Sequence, residues 1–98
     1  QGVHVEIVEK DHPIVKGLNW ETCPVFTGYN RVKVKENAKI ISKWKETGDP
    51  MIAVWTFGKG RSAVFTSDIS PHWGAGYQKW DNYGKSFIQM IRWLGKEL

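Results

Sequence analysis

Two stretches near the middle of the chain constrain the fold more than anything else in it. MIAVW (51–55) and AVF (63–65) are nearly continuous apolar runs on either side of a GKG turn at 58–60. A strand with one wet face alternates apolar and polar residues, whereas an unbroken apolar run belongs to a strand covered on both faces. Only one long helical pattern is available to do the covering. Within 81–97, Tyr83, Phe87, Ile91 and Leu94 recur at helical spacing and Ile88 widens the stripe. One helix covers one face. The other face needs more chain, a partner subunit or another domain. The sequence therefore predicts a single domain over 1–98 that is incomplete by itself, or an obligate oligomer.

Ninety-eight residues suffice for one domain. With 41% hydrophobic and 24% charged residues, the composition excludes a disordered tail and a collagen-like chain. No apolar run approaches the ~20 residues of a spanning helix, so no membrane partner is expected. The chain opens with no signal-peptide pattern and no initiator Met, which leads to the expectation that it is processed, tagged or cut from something longer. Its one cysteine, Cys23, cannot form an internal disulfide, which points to a reducing, cytoplasmic compartment.

Along the chain, Val3, Val5 and Ile7 alternate with polar residues as a first strand. DHPIVKGL (11–18) reads as a short helical turn, with Pro13 at its start and Gly17 at its end. Residues 19–30 read as an irregular connection. Residues 31–46 read as a hairpin: Val32 and Val34 alternate with Arg31, Lys33 and Lys35, and a turn at Glu36-Asn37 leads to Ile40 and Trp44. A second hairpin spans 51–67, and SDISPHWGAG (67–76) is a loop. Asp81 or Asn82 is placed to cap the last helix.

The order of four segments carries a resemblance. HPIVKGL (12–18) is followed by GYNRVKVK (28–35), by DPMIAVWTFGKGRSAVFTSDISPHW (49–73) and by a helix ending MIRWL (90–94). Together they resemble the C-terminal part of the putative glutamine amidotransferase family, within the class I glutamine amidotransferase-like superfamily. GKGRSAVFTSDISPHWG is the most specific piece. The resemblance implies an α/β fold: the C-terminal portion of a flavodoxin-like domain, with β-hairpins and a C-terminal helix. It also implies that the remainder of the domain, or a second subunit, is the first partner. Active members of the superfamily pair a cysteine on a sharp strand-to-helix turn with a His-x-Glu. Cys23 lies in WETCPVF, which is no such turn, and the chain holds no His-x-Glu. His72 falls broadly where the superfamily places its catalytic histidine, with Gly74 two residues on.

The candidate site is the loop that follows the AVF strand. Asp68 can orient His72, whose neutral imidazole can act as a base or bind an anion. Ser67, Trp73, Tyr29 and Asn30 complete the site as binding residues for a small-molecule ligand. Against this stands a bland alternative, in which Ser67 and Asp68 cap the loop locally and Trp73 is a packing anchor. Without a nucleophile or His-x-Glu, enzymatic activity is left open for these residues, and their role is mainly structural. The alternative function is a non-catalytic binding or interaction module that presents Trp73, Tyr77, Trp80 and Tyr83 (loop 72–83) to a sugar or a protein. Trp80, Tyr83 and Phe87 nevertheless have helix-face spacing, which favours a core seam.

Cys23 reads as a structural thiol, having no basic neighbour to activate it. No metal or cofactor is expected, because His4, His12 and His72 lack ligand spacing and GKG at 58–60 is a hairpin turn rather than a phosphate loop. The net charge of +4 includes a basic run of Arg31, Lys33, Lys35, Lys39, Lys43 and Lys45. A solvated hairpin explains that run better than a nucleic-acid platform does, since Trp44 falls on the opposite, apolar side.

Overall fold

The computed structural model describes residues 2–67 and 74–98. A four-stranded antiparallel sheet runs in the order β1 (Val5–Ile7), β2 (Lys39–Trp44), β3 (Pro50–Phe57) and β4 (Gly60–Phe65). A four-residue helix α1 (Ala75–Gln78) and a longer α2 (Tyr83–Leu94) follow. This is the small α/β architecture expected, with the GKG turn where the second hairpin needed it. Gly58 there has φ 58°, a conformation glycine adopts without strain. β3 bears out the expectation of double cover: Met51, Ile52, Ala53 and Val54 are all buried. β4 does not, since Arg61 to Phe65 are only half-buried.

The expected hairpin over 31–46 is not formed. Residues 31–35 join no strand among the described residues, and β2 pairs instead with β1 and β3. Both edges of β2 are thus occupied, so an alternating segment before it has no edge to join. The turn at 36–37 survives, closed by the Ala38 N–H on the Lys35 carbonyl at 3.0 Å. The segment crosses the sheet instead, bringing the Lys35 ammonium 5.2 Å from the centre of the Trp55 ring. The basic run is dispersed as a result. Lys35 lies over β3, Lys39 sits close enough to His12 to act on its charge, and Lys43 faces Glu6 across β1.

The core lies between one face of the sheet and α2. Phe26, fully buried, touches Trp44, Phe65 and Tyr77 with ring centres 5.0, 6.1 and 5.0 Å away. α2 crosses β4 through Phe87 on Phe65, at 5.8 Å. Its buried stripe differs from the expected one. Ser86 and Trp93 are buried and Tyr83, Phe87, Met90 and Leu94 pack on the core, while Ile88 and Ile91 face outward. Asn82 takes the N-cap position without capping, because its Oδ1 accepts the Asn19 N–H at 2.9 Å. At the other end, one Arg61 nitrogen donates to the main-chain oxygens of Trp93 (2.7 Å) and Leu98 (2.9 Å), and its guanidinium lies over the Trp93 ring. A cation at the carbonyl end of a helix answers both its unpaired acceptors and its dipole. The radius of gyration, 12.8 Å, is close to the value of about 12.6 Å expected for a domain this size.

The 11–18 segment forms the expected helical turn, with the Val15 and Lys16 N–H groups donating to the His12 carbonyl at 3.0 and 2.9 Å and with His12 against Trp93 at 5.2 Å. Its Nδ1 accepts the Ile14 N–H at 3.2 Å, which requires that nitrogen to be unprotonated. Burial first, then the nearby Lys39 charge, lowers its pKa from the ordinary 6.5. The unfolded chain therefore takes up this proton at a higher pH than the folded chain does. The contribution is complete above pH 6.5 and is lost as pH falls through the folded value. Between pH 7.5 and 5.5 the melting temperature should fall more in the native chain than in His12→Asn, whose Oδ1 can accept the same N–H. Equal pH slopes would remove His12 from the account.

Candidate functional site

β4 ends at Phe65, and the next two residues are clamped by the connection at 28–30. Ser67 Oγ donates to the Gly28 carbonyl at 2.7 Å, and the Asn30 N–H donates to the Thr66 carbonyl at 2.7 Å. Ser67 therefore serves as a clamp through this bond. Its bond reaches 39 residues back along the chain rather than staying within the loop. Asn30 contributes its backbone to the same clamp. Asp68, His72 and Trp73 lie outside the described residues.

Thr66 is the pivot of this corner. Its buried hydroxyl accepts the Trp44 indole N–H at 2.9 Å and donates to the Pro50 carbonyl at 2.9 Å. β2, β3 and the residue that follows β4 thus meet at one oxygen. Trp44, on the apolar side as expected, also stacks on Tyr29 at 5.2 Å.

Tyr29 leads outward to a polar knot on the β2–β3 turn. Its hydroxyl lies 2.5 Å from Asp49 Oδ2 and 2.8 Å from Thr47 Oγ1. A phenol has one proton, so it donates to the carboxylate and accepts from the threonine. Arg31 Nε donates to the same carboxylate oxygen at 3.1 Å. The Tyr29 hydrogen bond first, then the Arg31 charge, holds the Asp49 carboxyl below its ordinary pKa. Asp49 is ionised at neutral pH and balanced by Arg31, whose side chain is largely exposed. The structure thus brings together Ser67, Tyr29 and Asn30 of the expected site. It adds Thr66, Asp49, Arg31 and Thr47, which were not expected there.

The other candidates resolve into structure. Tyr77 and Trp80 are buried, and Tyr77 meets Phe26, Phe65, Trp80, Tyr83 and Phe87. The Tyr77 hydroxyl pairs with Ser86 Oγ at 2.6 Å, and burial raises its pKa. The Trp80 indole donates to Thr22 Oγ1 at 2.9 Å. These aromatics form the core seam that their spacing suggested and are not displayed to a sugar. Burial pushes the Cys23 thiol up to about 12, so it carries almost no thiolate at neutral pH. Arg92 pairs with Glu97 at 3.3 Å. No helix among the described residues is long and apolar enough to cross a membrane.

Solved structures share this fold, two of them from Salmonella typhimurium. Cytoplasmic Protein STM3548 from Salmonella typhimurium is 30% identical with a TM-score of 0.86, over 95% of this chain and 37% of that one. Cytoplasmic Protein STM1381 from Salmonella typhimurium LT2 is 28% identical with a TM-score of 0.83, over the same shares. The chain thus spans little more than a third of the length of either. No curated protein matches the sequence. The family model described as "Putative glutamine amidotransferase" matches residues 1–96, nearly the whole chain, and on that match the chain belongs to the putative glutamine amidotransferase family.

Proposed function

We propose that these residues are the C-terminal portion of a flavodoxin-like, glutamine amidotransferase-like domain, and that their work is to close its sheet and hold the 67–73 loop in place. The observation that carries this is the clamp at Thr66 and Ser67, which fixes the base of the loop at the carboxyl end of β4. In open α/β sheets ligands bind beyond the carboxyl ends of strands. A loop carrying Asp68 and His72 from that point can bring a base to a bound small molecule, with Asp68 orienting the imidazole. The nucleophile for amide hydrolysis must come from outside these residues, because Cys23 is half-buried and holds its proton at neutral pH. The unpaired thiol, and the word "cytoplasmic" in the names of both Salmonella proteins, support a cytoplasmic location.

His72→Ala in the natural-length gene product should reduce ammonia release from glutamine by about 10²–10⁴-fold, the usual worth of a positioned acid–base group. Its melting temperature should stay unchanged. Undiminished turnover would remove His72 from the chemistry.

A further inference from the structure

Along β1 the even-numbered positions face β2. The Lys45 N–H donates to the His4 carbonyl, the Val8 N–H donates to the Ile41 carbonyl, and Glu6 lies opposite Lys43. The odd-numbered positions therefore turn their N–H and C=O groups to the other side. At Val3 that side is taken, because Val3 and Phe26 exchange backbone hydrogen bonds at 2.8 and 2.9 Å in an antiparallel bridge. At Val5 and Ile7 no backbone group bonds there among the described residues. An antiparallel continuation from Phe26 would set Pro24 opposite Val5. Proline has no N–H to give, and Pro24 lies against Gly76 of α1 instead. The chain before it has already left the sheet as a short 3-10 helix at Trp20–Thr22.

The result is a slot of about 620 Å³ between β1 and the 15–21 segment. Val15, Leu18 and Trp20 line it and share one core with Val5 and Ile7. Lys10 and Lys45 line its rim against Glu6 and Glu21, so the rim favours no net charge. The open length runs only from Val5 to Ile7, shorter than an ordinary strand of about five or six residues. A full strand of a domain does not fit such a gap, whereas three residues of an extended peptide do. The slot lies at the opposite edge of the sheet from β4 and is therefore separate from the loop at 67–73.

We propose that this slot binds an extended peptide of another protein, which adds to β1 as an antiparallel strand in the register that the Val3–Phe26 bridge begins. One peptide residue stands opposite Val5 and one opposite Ile7, and each exchanges main-chain hydrogen bonds with its partner. Alternate residues of a strand point to the same face. Those two side chains therefore lie on the Val5–Ile7 side, against Val15, Leu18 and Trp20, and the residue between them lies beside Glu6. The recognised pattern is apolar-x-apolar in an extended backbone. Main-chain bonds supply the affinity in such strand addition, and the pockets for alternate side chains supply the specificity.

The test uses the natural-length gene product and the neutral peptide acetyl-Thr-Val-Thr-Val-Thr-amide, followed by the backbone amide signals of Val5 and Ile7 in NMR. The peptide should shift both signals saturably, with a Kd of about 1 mM or tighter. The same peptide N-methylated at both valines cannot donate those bonds and should bind at least about tenfold more weakly. Equal binding by the two peptides, or no saturable shift with either, would overturn the proposal. So would Val5 and Ile7 amides that are already protected from solvent exchange before any peptide is added, since the protein's own chain would then fill the slot. Protection that rises with protein concentration would overturn it in favour of a second copy as the occupant.

Discussion

Phe26→Ala is expected to cost about 3–5 kcal/mol, the range for removing a buried aromatic ring. The residue is fully buried, and its ring bridges Trp44 on β2, Phe65 on β4 and Tyr77 on α1. Its backbone pairs in both directions with Val3, so the ring is held where it cannot follow a collapsing cavity. With a net stability of some 5–15 kcal/mol typical of such domains, that loss removes a large fraction of it. Urea unfolding measures it directly. Phe26→Leu, which leaves a smaller void, should fall between the native chain and the alanine variant. An unchanged midpoint in Phe26→Ala would mean that the 19–30 connection is not docked on the sheet.

Thr66→Val should cost about 2–4 kcal/mol although it conserves shape. Valine can neither accept from the Trp44 indole nor donate to the Pro50 carbonyl, and each buried polar group left without a partner costs about 1–3 kcal/mol. Thr66→Ser keeps the hydroxyl and loses one methyl, so it should cost much less. If valine and serine are equally mild, the buried hydroxyl is not the pivot of the corner. The pair also bears on function, because the Thr66 carbonyl and Ser67 side chain anchor the start of the loop.

Much of the fold could be read from residue patterns alone. The β3–β4 hairpin followed from two apolar runs around GKG, and the terminal helix from 3–4 spacing. The 31–46 hairpin failed because alternation shows that a segment is extended, not which strand it pairs with. β1, more than thirty residues away, already held the edge of β2. The expected helix stripe was too wide for a similar reason. Ile88 and Ile91 fit the period, but the core lies on the Ser86–Trp93 side.

The site was legible in part. Tyr29, Asn30 and Ser67 lie together, Asn30 and Ser67 in the clamp and Tyr29 on the Asp49 carboxylate. Thr66 carried a visible signal, a hydroxyl interrupting the apolar run AVFTS. Asp49 carried none, since an aspartate in ETGDP reads as an ordinary turn residue. Only the close approach of segments eighteen to twenty residues apart shows that it holds Tyr29 and Arg31. A comparable approach sits at Gly76, where an added Cβ would lie 3.0 Å from the Pro24 Cβ, so that the proline would have to give by a few tenths of an ångström.

If these residues are one portion of a larger glutamine amidotransferase-like domain, as proposed, they should not occur as a free chain. Intact mass combined with sedimentation velocity on the natural gene product tests it most directly. The prediction is a species substantially heavier than 11.3 kDa in which these residues are covalently continuous with further folded chain. A stable, well-folded 11.3 kDa monomer would contradict it.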